Sequence, residues 1–168
     1  IFEGIYASGV MRWHGFQLLS FAIMKIAFAG VGGLLAAVLN ARLGTRRAII
    51  VAILITVVLL AMVLGTTPDK IIFFWNHDPA ARPLWSGPVF RTMPEVVFML
   101  LSGSMTAFAV ASIASGRAMV IQLVPPLQVG SYFGLFGLTS STTVWIAPML
   151  VGILTARFHS QAIGLVPI

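Results

Sequence analysis

The sequence predicts an all-α fold, a polytopic membrane helix bundle, and three observations lead there. Hydrophobic residues make up 59% of the chain and charged residues only 8%, against roughly 25% charged in a soluble domain, whose surface must face water. The mean hydropathy is +1.03, so polar groups cannot cover a globule of this size. The apolar residues also gather into runs long enough to cross the ~30 Å hydrocarbon core as helices, and glycine, proline and arginine punctuate the gaps.

The opening IFEGIYASGVM, about 1–11, reads as the outer end of a partial span, and the tight loop MRWHG (11–15) turns it into a full span over 16–39. NARLGTRR (40–47) is a second tight loop with three arginines, and it leads to a span over 48–64 that carries no charge. Residues 65–94 read as a long external loop. Its prolines, Pro68, Pro79, Pro83, Pro88 and Pro94, argue against a membrane helix there. The run IIFFW is too short to span, and Trp75 and Trp85 suit an interfacial position. A third full span covers 96–115; Pro125–Pro126 marks a stop. The fourth covers 132–155, with Pro148 expected to kink it. Residues 162–168 begin another partial span. Both ends look cut, so the chain is expected to be a fragment of a longer protein.

The three-arginine loop places 40–47 on the cytoplasmic side by the positive-inside bias. Two faces of small residues suit close helix packing: Gly103, Ala107, Ala111 and Ser115 on one helix, Ala29, Gly33 and Ala37 on another.

Lys25 is the residue that most needs explaining, because a lysine near the bilayer centre costs about 2.5 kcal/mol or more unless it faces protein or water. Glu3 precedes the MRWHG loop by about as much helix rise as Lys25 follows it, about 12 against 15 Å. The two therefore lie at similar depth on adjacent antiparallel helices. Three readings are open: a structural ion pair, a lysine snorkelling to the interface, or groups lining a translocation path. TSSTT (139–143) is the second polar island. Its hydroxyls can bond back to helix carbonyls, or Ser141 and Thr142 can line a cavity with Trp145; Tyr6 belongs either to that cavity or to an interface belt. Arg42, Gly44, Arg46 and Arg47 are the candidate cytoplasmic gating loop.

Other classes are disfavoured. The basic residues are scattered without an aromatic-interleaved stripe, so nucleic acid is not an expected partner. Cysteine is absent, and His14, His77 and His159 lack metal-ligand spacing. No nucleophile elbow or phosphate-binding loop occurs. An enzyme, a metal site and a cofactor are not expected.

GLLAAVLNARLGTRR (33–47) resembles the signature between the second and third helices of each half of a major facilitator superfamily transporter. Arg42, Gly44, Arg46 and Arg47 match, and Ala41 stands where that pattern has aspartate. Residues 115–154 resemble the vacuole-effluxer-like, autophagy-related permease branch through Arg117, Pro125, Pro126, Phe133, Gly134, Phe136 and Pro148, as does GIYASGV (4–10). Members often carry an acidic residue before the Phe-Gly and a basic one in the helix that follows; here Ser131 or Tyr132, and Ser141, hold those places. The resemblance implies a partial six-helix half of a major facilitator fold, the carboxy-terminal one. It implies a secondary active transporter of small solutes working by alternating access, with amino acids the first guess. The implied partners are the lipid bilayer, a small-molecule substrate, the missing amino-terminal six-helix half and protons as a candidate coupling ion, in a multi-pass protein of a bacterial inner membrane. The alternative is a non-transporting membrane scaffold or receptor-like protein.

Overall fold

The computed structural model describes residues 2–68, 70–76, 84–87, 89–143 and 145–158. His77, Pro79, Pro83, Pro88, His159 and the span expected over 162–168 lie outside the described residues. The chain divides into two compact units, one of residues 3–116 and one from Arg117 onward.

The first unit holds α1 (Phe2–Gly9), α2 (Gly15–Leu43), α3 (Thr45–Leu64), a short hairpin of β1 (Lys70–Ile71) and β2 (Trp75–Asn76), and most of α4 (Met93–Leu123). Helices α2, α3 and α4 are each long and apolar enough to cross a membrane. α2 opens at His14, whose backbone N–H donates to the Gln17 side chain at 3.0 Å. α4 opens the same way, the Thr92 N–H donating to Glu95 Oε2 at 3.0 Å. In each case a side chain three residues on satisfies a backbone donor that the helix start would leave orphaned. Gln17 Nε2 also donates to Glu95 Oε1 at 3.3 Å, tying the two helix starts together.

Further along, α2 and α4 approach until almost no side chain separates them. A Cβ added to Gly32 would lie 2.4 Å from the Ala107 carbonyl oxygen. Since their starts and these later turns both meet, the two helices run in the same direction. On α4 the buried stripe is Gly103, Ala107, Ala111 and Ser115, the face read from sequence. On α2 the expected Ala29, Gly33 and Ala37 are displaced by one residue: Gly32 and Ala36 are buried, while Gly33 and Ala37 are exposed. The rotation has a physical reason. Gly32 and Ala36 follow Lys25 at 7 and 11 residues, whole helical turns to a close approximation, so the face that packs is the one that carries the lysine.

The eight-residue loop expected at 40–47 contracts to Gly44 alone. Asn-Ala-Arg-Leu continues α2 because alanine, arginine and leucine are strong helix formers, and α3 resumes at Thr45. Gly44 makes the reversal with φ 79° and ψ 151°, a conformation essentially restricted to glycine. Arg42 therefore sits in the last turn of α2, and Arg46 and Arg47 in the first turn of α3. Helix α3 buries Thr45, Ala48, Ala52 and Val63, and leaves Ile53, Leu54, Val57 and Val58 exposed, as a helix facing lipid does.

The second unit contains the end of α4 from Arg117, a 3-10 turn (Pro126–Gln128), α5 (Val129–Thr143) and α6 (Ile146–Phe158). A single kinked span was expected over 132–155, and the structure instead ends one helix at Thr143 and begins another at Ile146. Pro148 supplies the reason. It lacks an N–H and its ring clashes with the carbonyl four residues earlier, whereas in the first turn of a new helix that N–H has no partner to lose. Hydrogen bonding resumes one residue later, the Met149 N–H donating to the Trp145 carbonyl at 3.1 Å.

Candidate functional site

Three helices of the first unit deliver one polar side chain each into an otherwise apolar region. Lys25 comes ten residues after the start of α2 at Gly15, and Ser102 nine after the start of α4 at Met93. At 1.5 Å per residue these are depths of about 15 and 14 Å, well inside a membrane-spanning helix. Glu3, near the start of α1, lies between them. Its Oε2 accepts from the Lys25 ammonium and from the Ser102 hydroxyl.

The pair is largely enclosed, with side-chain exposure of 23% at Lys25 and 13% at Glu3. An ionised carboxylate in such surroundings is costly unless charged and hydrogen-bonding partners replace water. Here the ammonium provides the charge and Ser102 a second donor. Phe21 adds its ring face, 5.4 Å from the Lys25 nitrogen, within range of a favourable cation–π contact. Of the readings open for Lys25, snorkelling is not the conformation adopted. Lys25 and Phe21 also line a cleft of about 360 Å³, together with Gly4, Ile5, Ser8, Leu18 and Ala22. That volume is in the range of small-molecule sites.

An aromatic cluster adjoins the pair through Phe21. Trp13 packs edge-on to Phe21, Phe90 and Phe98 with centroids 5.0 to 5.4 Å apart, and Tyr6 stacks on Phe98 at 5.8 Å. Tyr6, a candidate cavity residue in the sequence, is 2% exposed. Its hydroxyl donates to the Leu64 and Thr66 carbonyls at 3.2 and 3.3 Å, satisfying groups that the end of α3 would leave unpaired. Tyr6 is thus a tether between α1 and α3 within the core.

The remaining candidates divide by position. Ser141 and Trp145 belong to the second unit and are exposed, Trp145 by 58%. The backbone of Thr142 is in α5, and its side chain lies outside the described set. In the same polar run Thr139 donates to the Leu135 carbonyl at 2.9 Å, the local back-bonding expected of a hydroxyl in a helix. Arg42, Gly44, Arg46 and Arg47 are all exposed at the α2–α3 junction. Among the described residues no group of three or more histidine, aspartate or glutamate side chains comes together to hold a metal.

Ser102 is the member of the site that sequence reasoning missed. Its signal was available: counted from a helix start at Met93, with Glu95 in the capping position, Ser102 falls at the depth of Lys25 and one residue before the packing glycine Gly103.

Fold and site together define a multi-pass, predominantly helical integral membrane protein with an ion pair joining the short helix α1 to the membrane-spanning helix α2. The family model described as "Vacuole effluxer Atg22 like" matches residues 2–168, and the chain belongs to that family, which is one of membrane permeases rather than of enzymes. Comparison with curated proteins and with solved structures gave no match.

Proposed function

We propose that the protein is a secondary active transporter in which the Glu3–Lys25–Ser102 cluster belongs to the substrate or coupling pathway. The observation that carries this reading is the position of Lys25, paired to Glu3 at depth yet bordering the 360 Å³ cleft. Intramembrane ionisable groups are expensive and most often mark a substrate, ion or proton path. An anionic group entering the cleft competes with Glu3 for the ammonium, and Ser102 stays on Glu3 to stabilise the carboxylate released. Amino acids are the first substrate class to try, since they carry a carboxylate for Lys25 and an ammonium for Glu3. A proton on Glu3 removes the charge that holds Lys25, which makes protons the candidate coupling ion.

Alternating access then follows the major facilitator pattern, with this chain as the carboxy-terminal half rocking against an amino-terminal six-helix half. Ser141, Thr142 and Trp145 are the further cavity candidates in this reading. Arg46 and Arg47 oppose the dipole at the start of α3, where cations are unfavourable. That cost suggests a role beyond the helix itself, and contact with anionic lipid on the cytoplasmic face of a bacterial inner membrane supplies one. The competing reading is a non-transporting scaffold in which the ion pair only joins helices.

Counterflow with the full-length protein in proteoliposomes separates the two. Exchange of a labelled amino acid against an internal pool, absent with a sugar, supports transport; no exchange across a panel of amino acids, peptides and organic acids supports the scaffold.

A further inference from the structure

The β1–β2 hairpin is built unlike an ordinary surface turn. Its strands pair Lys70 with Asn76 and Ile71 with Trp75, so the polar pair is at the base and the apolar pair next to the tip. The tip residues Ile72 and Phe73 have φ of 47° and 63°, the left-handed region in which such turns usually place glycine or asparagine. Large apolar residues hold these positions instead. Phe74 is 89% exposed, Trp75 75% and Phe73 57%.

The hairpin's level along α3 is fixed by a direct tie. The Phe73 N–H donates to the Gly65 carbonyl at 2.9 Å, and the Phe73 ring covers Gly65 so closely that a Cβ there would lie 2.2 Å from it. Gly65 is the residue that caps α3. The apolar tip therefore sits level with the end of a membrane-spanning helix. An aromatic, tryptophan-bearing edge beside an exposed lysine, at that level, matches the chemistry of the bilayer interface.

We propose that residues 70–76 are an interfacial membrane anchor. Phe74 and Trp75 enter the boundary between headgroups and acyl chains in the leaflet at the end of α3 opposite Gly44, and Lys70 meets lipid phosphate. This rests on α3 spanning the bilayer and is independent of the transport reading. The anchor holds the end of α3 at a fixed depth through the Phe73–Gly65 contact.

The test uses the full-length protein in phosphatidylcholine–phosphatidylglycerol liposomes. These 168 residues contain no cysteine, so with any cysteine elsewhere replaced by serine, Phe74→Cys gives one nitroxide site. Collision with oxygen and with a water-soluble nickel chelate is then measured against lipids labelled at the headgroup and at the fifth acyl carbon. The expected result is an oxygen-to-nickel ratio severalfold above that of a label in water, at a depth between the two lipid standards, with a label at Trp75→Cys agreeing. Nickel access equal to that in water overturns the anchor. Exclusion of both reagents also overturns it, because the tip is then covered by protein.

Discussion

Ser102 donates its hydroxyl proton to the same Glu3 oxygen that accepts from the Lys25 ammonium, joining α4 to α1 across 99 residues of chain. One oxygen thus serves two helices, and its loss is felt at both. Glu3→Gln, Lys25→Met and the double variant therefore form a thermodynamic cycle. Each single change is expected to cost about 3 kcal/mol, the lower end for a buried pair, because Lys25 keeps 23% side-chain exposure. The double variant is expected to cost less than the sum by about 1–3 kcal/mol. Thermal unfolding of the full-length protein in detergent reads all three.

Ser102→Ala removes a hydrogen bond to a charged acceptor. The expected loss is about 1.5–3 kcal/mol, read by the same unfolding assay. In the Glu3→Gln background the loss shrinks, since the acceptor is then neutral. Equal effects in both backgrounds would mean that Ser102 acts through packing alone.

Gly32 and Gly33 are neighbours in sequence with opposite surroundings. A methyl group at Gly32 meets the Ala107 backbone, whereas at Gly33 it meets nothing within 4 Å. Gly32→Ala is expected to force α2 and α4 apart, destabilising by about 1–3 kcal/mol as overpacking does. Gly33→Ala is expected to be neutral or slightly stabilising, because alanine is the better helix former. The reverse ranking in a thermal-shift comparison contradicts the observed packing face.

Gly44→Ala places a side chain at φ 79° and ψ 151°. An L-residue there costs about 1–3 kcal/mol, so the variant is expected to lower the melting temperature although position 44 is exposed and nothing lies within 4 Å of its added Cβ. An unchanged melting temperature shows that the α2–α3 reversal relaxes at no cost.

How much of this was legible in the sequence depended on how local the signal was. The depths of Glu3 and Lys25 could be compared because both are counted from the same short loop at 11–15. Ser102 could not be placed so easily, since the long segment after α3 separates it from that reference and its own helix start had first to be found at Met93. The packing face of α4 was readable from four small residues at spacing four. That of α2 was not, because two overlapping small-residue stripes, one with Gly32 and one with Gly33, fit the same helix, and only the lysine's partner decides between them. Tyr6 read as a cavity candidate, but its hydroxyl is claimed by the Leu64 and Thr66 carbonyls at the end of α3, which no local pattern announces. Helix ends were the weakest point: arginines in NARLGTRR suggested a loop, yet their propensity carries both helices up to Gly44. Pro125–Pro126 was read as a stop and α4 ends just before it, at Leu123, whereas Pro94, read as part of the loop, lies in the first turn of α4. The decision between a kink and a new helix at Pro148 rests on backbone bonding around it.

The charge-swapped protein Glu3→Lys/Lys25→Glu tests the central claim most directly. The swap keeps opposite charges face to face, so a purely structural pair is restored and a pathway role is not. With the melting temperature within a few degrees of the wild type, counterflow in proteoliposomes is the deciding measurement. The account predicts that exchange falls at least tenfold in the swapped protein, as it does in Lys25→Met. Exchange at the wild-type rate in the swap would contradict it, and would leave Glu3 and Lys25 as the bolt between two helices.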